Sequence, residues 1–191
     1  MESVKCVCFI LLLLLLHLLI PSSDSISFHM SRFDPSSSDI LYEGDAVPFV
    51  GAIELNNKLA YLFQVGRVTY AKKVLLWDSN SGKLSDFTSH FSFTIDTLGA
   101  NKFGSGIAFF LAPVGFQIPP NSGGAFLGLF NTTTGLSSVN KIVMVEFDTF
   151  NNPEWDPQDV QSHVGIKNNS IASVVYTSGM QVFIVEIQLM Y

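Results

Sequence analysis

The chain has 191 residues, a length for one domain rather than two. Its formal net charge of -6 excludes the basic surface that nucleic acid or an anionic lipid surface requires. Hydrophobic residues make up 48% and include 17 phenylalanines, enough for a core that needs no disulfide support.

Residues 1–25 read as a secretory signal peptide. Lys5 precedes an apolar run from Val7 to Ile20 that contains six consecutive leucines, and Ser22, Ser23 and Ser25 follow it. Cleavage is expected near Ser23 or Ser25. The run falls short of the roughly 20 apolar residues that a membrane span needs, so a retained signal anchor is the lesser alternative. Cys6 and Cys8 both lie in this segment, which leaves the mature chain without cysteine. Two glycosylation sequons, at Asn131 and Asn168, agree with passage through the secretory route. The expected location is therefore extracellular, with no transmembrane helix after cleavage.

Beyond the signal, strands alternate with turns. Phe87, Ser89, Phe91, Phe93 and Ile95 mark one face of a strand over Asp86 to Asp96. Ile107, Phe109 and Leu111 mark a face of Gly106 to Pro113, and Val143, Val145 and Phe147 a face of Lys141 to Phe150. Turn signals separate them at Asp78 to Gly82, Leu98 to Asn101 and Pro119 to Gly124. No segment carries a sustained helical period with caps at both ends, and no internal repeat is present. The expected fold is an all-β antiparallel sandwich or barrel. From Gly179 the chain runs to Tyr191 without a turn or polar tail, either as a final buried strand or as an unrelated tail.

The stretch from Glu146 to His163 carries the chemistry. Glu146 and Asp148, two residues apart on a strand, point to one side of the sheet. Asn152 and Asp156 fall in the following loop, and His163 opens a short strand, Val164 to Ile166, positioned to pair antiparallel with the first. Together with the Phe150 carbonyl these donors suit a two-metal site. Hard oxygens suit calcium, and the mixed carboxylate and imidazole set suits a transition ion such as manganese. An acidic pair at this spacing is commonly only a solvated strand face, and a histidine before Val-Gly-Ile is commonly a surface or core residue. The reading rests on the whole constellation. A glycosidase needs two carboxyls free to act as acid and nucleophile, whereas metal ligation ties these up. No nucleophile elbow or Ser, His and Asp set occurs elsewhere, so the chain is expected not to be an enzyme.

In order along the chain, these motifs resemble the legume lectin family, and in detail the extracellular domain of plant L-type lectin receptor kinases. The resemblance runs from Ser27 to about Ser178 through Gly51-Ala52-Ile53-Glu54-Leu55, Leu76-Trp77-Asp78 and His90-Phe91-Ser92-Phe93. It continues through Gly106-Ile107-Ala108-Phe109-Phe110-Leu111, Phe126-Leu127-Gly128-Leu129-Phe130, the metal loop and His163-Val164-Gly165-Ile166. It implies a concanavalin A-like jelly-roll sandwich that binds carbohydrate. It implies manganese on Glu146, Asp148, Asp156 and His163, and calcium on Asp148, the Phe150 carbonyl, Asn152 and Asp156. Six residues separate Asp156 from His163, more than the family's four, which keeps Asp159 open as the alternative to Asp156. The metals would order the loop so that the Asn152 amide donates to a sugar hydroxyl and Phe150 faces the apolar side of the ring.

Three departures bear on what the resemblance implies. Ser105 stands where the family places an acidic residue or histidine, and losing a charge-assisted pair costs about 1.5–3 kcal/mol. Ala125 stands where the family has glycine, with Gly123 and Gly124 just before it. The expected sugar site is thus Ser105, Gly124, Ala125, Phe150 and Asn152. The family also continues for several strands past His163-Val164-Gly165-Ile166. Residues 26–178 are therefore expected to form a C-terminally incomplete lectin domain, followed by an atypical tail over 179–191. The expected function is a secreted, metal-ordered lectin module of weakened sugar affinity. The alternatives are a decoy or interaction fragment that pairs with another lectin-domain chain, or a product without function. Full-length relatives of the kinase type would sit at the plasma membrane.

Overall fold

The computed structural model describes residues 26–57, 63–137 and 139–179, and the backbone of 185–189. The signal-peptide segment and both cysteines lie outside the described residues. Two compact units divide the chain, Met1–Ser31 and Arg32–Tyr191; residues 26–31 of the first contain neither helix nor strand.

The second unit is all-β among its described residues. In chain order its strands are β1 (Ile40–Gly44), β2 (Val47–Phe49), β3 (Ala52–Glu54), β4 (Gly66–Tyr70) and β5 (Phe87–Phe91). They continue as β6 (Gly106–Leu111), β7 (Val143–Asp148), β8 (His163–Asn168), β9 (Ser173–Ser178) and β10 (Val185–Leu189). All pairings are antiparallel: β1 with β4, β2 with β3, β5 with β10, and a four-stranded sheet in the order β6-β7-β8-β9. The only helical turn described is a single 3₁₀ turn at Gly124–Phe126. The three strands expected from alternation are present in shorter form. The one expected over Asp86 to Asp96 ends at Phe91, and Lys141 to Phe150 narrows to Val143–Asp148.

The alternation captured only one face of the central strands. On that face Phe109 stacks on Phe91 at 5.5 Å between ring centroids, and Phe147 meets Phe93 edge-on at 4.9 Å. These rings fill the space beneath one side of the four-stranded sheet. On the other side Met144 is buried with Leu129, Phe130, Ile142 and Ile171, and Ala108 and Phe110 of β6 pack against that cluster. β6 and β7 therefore run between two apolar layers, which is why their sequences are apolar at both odd and even positions. Val143 is the exception on the aromatic face, 41% exposed near the strand's open end. Glu146 and Asp148 share the Met144 face, so they are enclosed by the same layer.

A second anchor ties the β1–β4 pair to the loop after β6. Glu43 and Arg67 lie opposite each other across this pair. Arg67 donates to both Glu43 carboxylate oxygens, at 2.8 and 2.6 Å, and also to the Phe116 carbonyl at 2.9 Å. The guanidinium lies 5.6 Å from the centroid of the Phe116 ring, and the Thr69 hydroxyl donates to Glu43 Oε2 at 3.0 Å. The Arg67 bond, with help from Thr69, holds the Glu43 carboxyl below its ordinary value of 4.5.

Removing the cation with Arg67→Met is expected to cost about 3 kcal/mol in denaturant unfolding, the low end for a buried pair because Glu43 keeps some solvent contact. Because the folded carboxyl titrates below the unfolded one, this stability is complete above pH 4.5 and is lost as pH falls through the folded value. An acid titration of Glu43→Gln is expected to lack that component.

Candidate metal centre

Antiparallel pairing of β7 with β8 sets Glu146 opposite Gly165 and Asp148 opposite His163. Glu146 and His163 are fully buried at 0% exposure, and Asp148 at 2%. One ligand atom from each of the three lies within 4.8 Å of the other two. The geometry thus brings together the three sequence-predicted donors carried by strands. The His163 ring contacts Glu146 directly, with Nε2 at 3.1 Å from Oε1.

Three residues of this cluster escaped the sequence reading. Lys167, 1% exposed, extends its ammonium to Glu146 Oε2 as a buried ion pair. Ser173 on β9 donates its hydroxyl to Glu146 Oε1 at 2.6 Å. Gly165 makes this possible. A β-carbon there would stand 2.2 Å from Ser173 Oγ and 2.7 Å from Glu146 Oε1, so only glycine lets the β9 hydroxyl reach across β8. The signal for Lys167 was available: positions 163, 165 and 167 alternate onto one face of β8. A bulge between Ile166 and Lys167 shifts the pairing with β9, so Ser173 had no comparable signal.

The loop after β7 contributes the oxygen donors. Asp148 Oδ1 accepts from the Phe150 N–H at 2.6 Å, and Asp156 Oδ2 accepts from the Asn152 N–H at 2.6 Å. The Trp155 and Asp156 N–H groups return to the Asn152 carbonyl at 3.1 and 2.9 Å, which closes a tight turn. Asn152 Oδ1, Asp156 Oδ1 and His163 Nδ1 are buried without a hydrogen-bond partner, and Glu146 Oε2 has only its ion pair with Lys167. Buried acceptors of this kind are rare unless something else satisfies them. Burial pushes the Asp148 carboxyl up to about 7, with the negative charges of Asp156 and Glu146 adding to the effect and the Phe150 N–H opposing it. Burial also raises Asp156. The centre is short of positive charge on its oxygen side, and two orphaned oxygens on one loop fit a hard cation. Asp159, the other acid open to the loop, is exposed.

The expected sugar-site residues converge beside this loop. The Ser105 carbonyl accepts from the Thr149 N–H at 2.9 Å, tying the start of β6 to the end of β7. Gly104 lies directly against Phe150, where a β-carbon would stand 2.6 Å from Phe150 Cβ. A β-carbon on Gly124 would lie 3.8 Å from Ser105 Oγ, so the 3₁₀ turn carrying Gly124 and Ala125 borders Ser105. Phe150 is 48% exposed, whereas Trp155 is tucked inward and stacks on Phe126 at 5.7 Å. Asn168 ends β8 as an exposed residue. Asn131 is partly buried, and its side chain caps the following turn by accepting from the Thr133 and Thr134 N–H groups, each at 3.0 Å.

The chain is similar to known proteins in sequence and fold. The family described as Legume lectin domain matches residues 25–189. L-type lectin-domain containing receptor kinase IX.1 of Arabidopsis thaliana is 53% identical over 163 residues, covering 84% of this chain and 25% of that protein. The chain thus spans about a quarter of that relative's length. Among solved structures, a seed lectin isoform of Lotus tetragonolobus superposes with a TM-score of 0.75 at 33% identity, covering 84% of this chain and 69% of that one. The lectin UEA-II complexed with galactose superposes with a TM-score of 0.73 at 36% identity, covering 82% of this chain and 67% of that one.

Gly165→Ala tests the packing of the centre. It is expected to cost about 1–3 kcal/mol in thermal or denaturant unfolding, as for other overpacked sites. Adding Ser173→Ala should recover part of that loss, because its hydroxyl is the nearer obstacle.

Proposed function

The chain belongs to the legume lectin domain family, and we propose that it binds carbohydrate without catalysis, through a site whose loop is ordered by metal ions. The observation that carries this reading is the pair of buried, unsatisfied oxygens Asn152 Oδ1 and Asp156 Oδ1, beside an Asp148 carboxyl that burial drives up. Asp148, the Phe150 carbonyl, Asn152 and Asp156 form the hard-oxygen set for calcium. Glu146, Asp148, Asp156 and His163 form the mixed set for a transition ion such as manganese. A divalent ion bound at such a set would supply fixed positive charge that organises the loop.

The protein's own residues then do the recognition. Asn152 has its backbone N–H committed to Asp156, so its side-chain amide is left to meet a sugar hydroxyl. Half-exposed Phe150 offers a face to the apolar side of a pyranose ring. Ser105 and the backbone at Gly124 and Ala125 border the same space and add short, uncharged hydrogen-bonding groups. UEA-II is complexed with galactose, and a hexose is the ligand class proposed for this chain. Residues 1–25 act as the signal peptide, so the site works outside the cell on a chain glycosylated at Asn131 and Asn168.

A second reading, pairing with another lectin-domain chain, has one observation in its favour. β9 ends the four-stranded sheet among the described residues and exposes Val174, Val175 and Tyr176. The glycan experiment separates the two.

On a glycan array, sugar binding is expected to vanish with chelator and return with added calcium, and Asp148→Ala should abolish it by removing a ligand common to both donor sets. Binding that persists through chelation or Asp148→Ala would sink the metal-ordered loop. No sugar binding in any metal state would favour the pairing reading.

Ser105→Asp is expected to tighten sugar binding by about tenfold, the gain from one charge-assisted hydrogen bond, read by titration calorimetry with a hexose ligand.

A further inference from the structure

Lys167 sits inside the centre as a cation that belongs to the protein. Its ammonium is buried, reaches Glu146 Oε2, and lies on the same face of β8 as His163. Glu146 Oε1 meanwhile accepts from Ser173 and contacts His163 Nε2. Both oxygens of the carboxylate that anchors the mixed donor set are therefore engaged by the chain itself. The oxygen set differs in having no ion pair of its own: Asn152 Oδ1 and Asp156 Oδ1, like His163 Nδ1 on the other side, lack a hydrogen-bond partner, and no lysine or arginine among the described residues is paired with them. One half of the centre is paired directly with a cation of the chain, and the other half feels that ammonium only at longer range.

From this asymmetry we infer that Lys167 is a built-in counter-ion that takes the place of a divalent ion on the Glu146 and His163 side, so that the chain loads a single divalent cation, on the Asp148, Asn152 and Asp156 side. The inference rests on the assignment of two donor sets made above. A divalent ion entering the mixed set must displace the ammonium from Glu146, and a displaced, buried ammonium has no second carboxylate of comparable burial to receive it beyond Asp148 and Asp156. Those two are the acids needed by the remaining ion. Coulomb repulsion between a lysine ammonium and a divalent ion sharing one carboxylate makes the two cations exclusive rather than additive. Calcium on the oxygen set displaces no ion pair, since neither orphaned oxygen is hydrogen-bonded to Lys167, whose charge reaches Asp148 and Asp156 only at longer range.

Lys167→Met keeps the length and apolar stem of the side chain and deletes the charge. Equilibrium dialysis of the full chain against calcium chloride or manganese chloride, with metal counted by atomic absorption, reads the ions bound per chain. The original chain is expected to hold one, and Lys167→Met two, with manganese affinity on the added site raised about tenfold to a hundredfold, the usual effect of changing a residue bonded to a metal-ligating side chain. Two tightly held ions in the original chain would overturn the inference and leave the metal-ordered loop standing. So would a stoichiometry and affinity that Lys167→Met leaves unchanged. No ion in the original chain but one in the variant would support the role of Lys167 while overturning calcium ordering of the loop. No ion in either would overturn both. Deleting the ammonium also leaves Glu146 short of charge, and the variant can lose its fold without metal. In that case circular dichroism melts decide. Recovery of the fold with manganese supports the inference, and no response to manganese overturns it. Lys167→Gln, which keeps a hydrogen-bond donor, provides a second variant for the same measurements.

Discussion

Everything near the centre depends on one buried carboxylate. Glu146 has no solvent contact and sits mid-strand between two neighbours in the sheet, where an isolated charge would cost several kcal/mol. The chain answers with an ammonium from Lys167, a hydroxyl from Ser173 and the imidazole of His163, drawn from β8 and β9. Those partners reach it only if three strands hold one register and Gly165 has no side chain. A slip of one residue would turn His163 and Lys167 to the opposite face. The register of the sheet and the satisfaction of Glu146 are therefore the same constraint.

From Glu146 the charge balance becomes uneven. Glu146 has its own cation, whereas Asp148 and Asp156 are pushed up by burial and by each other or by Glu146. The loop from Thr149 to Pro157 folds around this deficit: Asp148 and Asp156 each take one backbone N–H, and Asp156 Oδ1 and Asn152 Oδ1 stay unsatisfied. A hard cation relieves such a deficit without rearranging the loop. The same turn that orphans Asn152 Oδ1 also places Phe150 half in solvent against Gly104. In the proposed reading, metal binding and ligand recognition share a few residues of backbone, so that a change in one is felt by the other.

Much of this was legible in the sequence. Alternating apolar residues located β5, β6 and β7, and the spacing of Glu146 and Asp148 placed both on one face. The family motifs pointed to a sandwich before any geometry was known. Strand lengths were less legible: the apolar alternation through Phe93 and Ile95 continues past the last paired residue, Phe91, because apolar contact does not require a ladder hydrogen bond. Lys167 was passed over since a charged residue near a strand's end ordinarily reaches solvent, although its alternation with His163 and Gly165 sets it on the buried face of β8.

By itself, the sequence determined the fold class, the order of the motifs and the donor types, because periodicity and residue chemistry are local properties of the chain. Only the tertiary structure decided which donors are already spoken for. That outcome depends on β7, β8 and β9 lying side by side, which brings residues 146, 163, 167 and 173 together across up to 27 positions of sequence. Burial then turned that proximity into a division of charge, with one carboxylate neutralised by the protein and two left for a cation.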